Sequence, residues 1–161
     1  MKALSIILVS VSLISAGFES RPQLEDFLFS EKELPAACRI KQVKEAEKLP
    51  CNAKGNPFLS SEPEFLDCFA KQLIPDADLI PHIRRGLFSV YEDKSEIGVF
   101  GLEADSKVHG KHLFEVLAEK NPDESRIEFI QSGRILIMLW HDSEETASFQ
   151  EFRELINAKM K

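Results

Sequence analysis

Residues Arg126–Asp142 read RIEFIQSGRILIMLWHD, and how they pair decides the fold. Two apolar runs flank Ser132-Gly133, a dipeptide suited to a tight hairpin turn. The second run, Ile135 to Trp140, has no polar interruption. A strand wetted on one face alternates apolar and polar residues, and this one does not. Ile135, Ile137 and Leu139 point one way; Leu136, Met138 and Trp140 point the other. Both faces therefore need a cover, which predicts a central strand.

Working outward, Asp142 and Glu145 offer a cap for a last helix with Phe149, Phe152, Ile156 and Met160 as its apolar stripe. Upstream, Asp105 or Ser106 can cap a helix that turns Leu113, Phe114 and Leu117 inward and ends at Asn121-Pro122. Before it, Leu87–Tyr91 and Glu96–Glu103 read as a hairpin around Asp93-Lys94-Ser95. Gly98 and Gly101 inside its second strand point to a bulge or a closely packed neighbour. Ser61 and Glu64 form a capping pair for a helix with Phe65, Leu66, Phe69 and Leu73 on one face, stopping before Pro75. Residues 50–61, rich in Pro, Asn and Gly, read as a loop. Pro35–Leu49 has helical composition bracketed by prolines, yet 38–43 can run as a sheet-edge strand; the strand completes a coherent topology and is preferred. Pro22 can open a short helix carrying Leu24, Phe27 and Leu28.

The resulting order, β-α-β-β-α-β-β-α, predicts an α+β fold. It is an antiparallel sheet with helices, in ferredoxin-like β-α-β-β-α-β order plus an extra strand and a C-terminal helix. Two helices on one face leave the other bare, so the last helix, the N-terminal arm or a second subunit in a homodimer must cover it. Element order of this kind hosts many functions and assigns none.

The chain opens MKALSIILVSVSLISAG. Lys2, the apolar run 3–16 and the small residues Ser15 and Gly17 predict a secretory signal peptide over 1–17. The run is shorter than the roughly 20 residues of a membrane span. Phe18 stands where a lipoprotein signal would place its acylated cysteine. The expected organisation is a signal at 1–17, an N-terminal arm at 18–34 and one α+β domain at 35–161, secreted or periplasmic, with no membrane span in the mature chain. Acidic residues outnumber basic ones 27 to 20, for a net charge of −7. Such a surface repels nucleic acid. His82-Ile83-Arg84-Arg85 is the one basic spot and reads as a solvated loop.

In an oxidising compartment three cysteines, Cys38, Cys51 and Cys68, imply one disulfide and one thiol left over. Cys51 sits in the predicted loop and Cys68 on the flank of the helix, so the expected pair is Cys51 with Cys68. Cys38 shares strand parity with Ile40 and should point inward.

Chemical motifs are sparse. There is no Gly-x-Ser-x-Gly, Walker loop, Gly-x-Gly-x-x-Gly or Cys-x-x-Cys, and no cofactor is expected. His109 and His112, three apart on a helix, could share a metal with His141, but nothing in the sequence brings them together. Solvated histidines are the simpler reading. The preferred function is a small exported binding or interaction module: an inhibitor, a chaperone-like protein or an envelope accessory. It would engage a protein or apolar ligand through Phe58, Leu59, Leu136, Met138 and Trp140. The alternative is a metal-handling protein or small enzyme using His109, His112 and His141.

Overall fold

Every strand of the sheet runs antiparallel to its neighbours, and the order across it sets the position of everything else. The computed structural model describes residues 21–43, 49–74, 76–120, 126–142 and 147–161. Its strands are β1 (Arg39–Ile40), β2 (Phe58–Ser60), β3 (Ile83–Glu92), β4 (Glu96–Ala104), β5 (Ile127–Ser132) and β6 (Ile135–His141). Its helices are α1 (Pro63–Leu73), α2 (Lys107–Lys120) and α3 (Ala147–Lys159), with 3₁₀ turns at Leu24–Phe27, Pro50–Asn52 and Ala77–His82. The strand order is β1-β3-β4-β6-β5, with β2 also paired to β3.

The α+β class is therefore as expected, and the ferredoxin-like order is not. Such an order needs a first strand long enough to sit inside the sheet. Here β1 is two residues long and pairs only with Tyr91 and Glu92 at the outer edge of β3. Beside it β2, inside the predicted loop, pairs with Gly86–Phe88 on the same edge. The Asn56 side chain bridges the gap. Its Oδ1 accepts from Val90 N at 2.7 Å and its Nδ2 donates to Val90 O at 2.7 Å, as a backbone neighbour would. The strand at 38–43 is thus much shorter than predicted, and residues 44–48 lie outside the described residues.

The inner position goes to β6, held between β4 and β5. Its two faces meet two separate cores. Ile135, Ile137 and Leu139 pack with Phe149, Phe152 and Ile156 of α3 and with Leu24, Phe27 and Phe29 of the N-terminal segment. Leu136 packs with Phe65 and Phe69 of α1 and Leu113 and Leu117 of α2. Each such side chain, taken fully out of water, contributes about 1.5–3 kcal/mol before its ordering entropy is charged. The cover over the second face is α3 plus the 24–29 segment. Gly101 makes room for that segment: a Cβ there would stand 2.7 Å from the Leu24 side chain.

Turns and caps differ in detail. Ser132 pairs with Ile135, so the hairpin turn is Gly133-Arg134, one residue beyond the dipeptide read from sequence. Gly133 carries the positive φ, 58°, that a tight strand-joining turn demands. On α1 the N-cap is Glu62, without a side-chain cap bond, and Pro63 opens the helix; Ser60 Oγ accepts from Glu62 N instead. Ser106 Oγ accepts from His109 N at 3.2 Å and caps α2. The Asp142 carboxylate accepts from Glu96 N and ties β6 to the start of β4; the cap expected from it falls on residues 143–146, which lie outside the described residues ahead of Ala147 in α3. Glu145, its expected partner, lies outside the described residues, as do 1–20 and 121–125. No helix among the described residues is long and apolar enough to cross a membrane.

Candidate functional site

A row of aromatic rings crosses the face of the sheet beneath α1 and α2. Phe58 meets Phe65 edge-on at 5.0 Å, Phe65 stacks on Phe69 at 5.1 Å, and Phe69 tilts against Phe100 at 5.6 Å. Phe100 lies nearly parallel to Trp140, centroids 6.3 Å apart. Strand parity builds the row, because Phe88, Phe100 and Trp140 stand on one face of three adjacent strands. Gly98 finishes it. Directly across from Trp140 on β4, it has no side chain, and the indole lies over it. The indole Nε1 is buried there without an acceptor among the described residues.

At the Trp140 end the row is not roofed by α1 or α2. A cleft of about 240 Å³ opens there, floored by Phe88, Val90, Phe100 and Trp140 and walled by Val43, Leu49 and Pro50. Its edge carries Lys41, whose Nζ pairs with Glu96 at 2.5 Å, and Asn56. The wall is tethered. Cys51, next to Pro50, is bonded to Cys68 on α1, which is the pairing expected from the sequence. Cys38 is the free thiol; it is buried, and that burial pushes its pKa up.

The other residues singled out in the sequence disperse. Phe58 and Leu59 are half-buried on opposite sides of β2, one against each core. Leu136 is buried, and Met138 is half-buried between Phe100 and Phe129. Of the large apolar side chains among the described residues, only Val108 on α2 is substantially exposed. His112 is exposed on α2, whereas His141 is buried on the opposite face of the sheet, 4.4 Å from the Phe149 ring.

His109 belongs to a group that the sequence reading missed. The register Ile83 to Ala104 at the open end of the β3–β4 hairpin sets His82 beside Asp105, and Asp105 N donates to His82 O at 2.8 Å. His109 returns over them from the first turn of α2. The Asp105 carboxylate then lies 2.5 Å from His109 Nδ1 and 3.0 Å from His82 Nδ1. These hydrogen bonds, His109 first, hold its pKa well below the usual carboxylate range. The two imidazoles stack with centroids 3.5 Å apart. The Asp105-x-x-x-His109 spacing was a visible signal; the arrival of His82 was not.

The basic spot is not a solvated loop. Arg84 NH2 lies 3.3 Å from Asp105, and Arg85 pairs with Glu25 and, at 2.5 Å, with Glu103. Glu103 is buried and also pairs with Arg134 at 2.8 Å. These guanidiniums are neutralised within the fold.

No family model matches the chain, and neither the curated proteins nor the solved structures contain a significant match.

Proposed function

We propose that the chain is an exported, non-catalytic binding module whose Trp140 cleft receives one apolar side chain of a partner protein. The carrying observation is the cleft itself: four sheet residues, three of them aromatic, floor a space of about 240 Å³ that neither α1 nor α2 covers. Pockets for whole small ligands run at roughly 300–1,000 Å³. A smaller apolar socket suits a single anchoring residue, the kind of contact that dominates interface energetics. The Lys41–Glu96 pair at the edge supplies charged groups for the backbone around such an anchor. The Cys51–Cys68 bond supports the reading by keeping the Pro50 wall in place. Export rests on the apolar run 3–16 and agrees with a disulfide. The excess of acidic residues directs the surface away from nucleic acid.

Trp140 is the only tryptophan, so its emission reports on the cleft. N-acetyl-phenylalanine amide should shift that emission saturably, and N-acetyl-glutamate amide should not. Equal responses to both, or none to either, would refute the reading.

A further inference from the structure

We propose that His82, Asp105 and His109 form a binding site for a first-row divalent cation of the zinc type. Their ligand atoms lie within 4.8 Å of one another, close enough to converge on one ion. The donor set is two imidazole nitrogens and one carboxylate oxygen. That mixture suits zinc and its borderline neighbours, whereas calcium and magnesium want oxygen throughout.

The frame is built independently of any ion. The backbone bond from Asp105 N to His82 O fixes two of the three positions, and the Ser106 cap fixes the first turn of α2 that carries His109. Both Nδ1 atoms already face the carboxylate, so an ion would replace two hydrogen bonds without moving an element of secondary structure. All three side chains are partly exposed, which gives an entry path. Three protein ligands leave a coordination position for water or a ligand from outside, the pattern of open sites as distinct from closed structural ones. Arg84 completes the arrangement. Its guanidinium, 3.3 Å from Asp105 and mostly exposed, neutralises the carboxylate and competes with an incoming cation.

This site shares only His109 with the set suggested by sequence, and it does not depend on the Trp140 cleft. Zinc titrated calorimetrically into chelator-treated protein should bind with one-to-one stoichiometry. His82→Ala and His109→Ala should each weaken binding at least tenfold. His112→Ala should leave it unchanged, and Arg84→Ala should tighten it. Because a core-edge variant can misfold, Co²⁺ added to the unaltered protein gives a second reading. Paramagnetic broadening should centre on the signals of His82, Asp105 and His109. Absence of saturable binding, wild-type affinity in both His82→Ala and His109→Ala, or broadening centred on His112 or His141 would overturn the assignment.

Discussion

The indole of Trp140 fills the space that a side chain on Gly98 would need: a Cβ on residue 98 would stand 1.9 Å from indole Nε1. A strand glycine normally weakens a sheet, and here it is required because a large ring lies on it. Gly98→Ala should displace the indole, red-shift its emission and cost about 1–3 kcal/mol as an overpacked site. Equilibrium urea unfolding, followed by fluorescence, checks both effects together.

The disulfide should matter more for stability than for the path of the chain. Cys51 and Cys68 are 17 residues apart, and losing the crosslink should cost roughly 3 kcal/mol in the chain-entropy account. Cys51→Ser/Cys68→Ser should melt lower and respond more weakly to apolar probes, since the Pro50 wall is no longer held. Buried Cys38 should resist iodoacetamide in the native protein and react once urea unfolds it, as a mass-spectrometric time course would show.

The cover over the second face makes its own prediction. Phe27 and Phe152 are fully buried from two distant parts of the chain. Phe27→Ala and Phe152→Ala should each cost about 3–5 kcal/mol by chemical denaturation. If the 24–29 segment were a loose arm, Phe27→Ala would be close to neutral.

Acid should loosen that cover. Lys159 Nζ, 2.8 Å from Glu33, and the Ser30 amide hold the Glu33 carboxyl down at about 2, from an ordinary 4.5. A depressed folded-state value means the unfolded chain binds more protons in this window, so the contribution is full above about 4.5 and is lost as pH falls toward about 2. Glu33 is exposed and Lys159 half-buried, and the pair's share is no more than about 1 kcal/mol after solvent screening. Glu33→Gln should flatten this limb of the stability profile, read as urea midpoint against pH.

What was legible in the sequence followed from local periodicity. The two-sided apolar run at Ile135–Trp140 gave the inner strand and the parity of both faces, because side chains alternate strictly along a strand. The stripe Phe149–Phe152–Ile156–Met160 is buried throughout, for the equivalent helical reason. Strand order was not legible, since β4 and β6 meet only after an intervening helix and hairpin. The same limit applied to the sites. Gly98 was recognisable as a close approach, but not as the seat of Trp140. Asp105 and His109 share a helix-turn spacing, whereas His82 joins them only through the register of the β3–β4 hairpin.

The most direct measurement is an amide and indole NMR map of the protein titrated with N-acetyl-phenylalanine amide. Saturable shifts centred on the Trp140 indole, Gly98, Phe100, Val90 and Leu49 are predicted, with the β5 edge unmoved. Shifts centred on β5, spread evenly over the surface, or absent at saturating probe would contradict the claim that this cleft is the binding site.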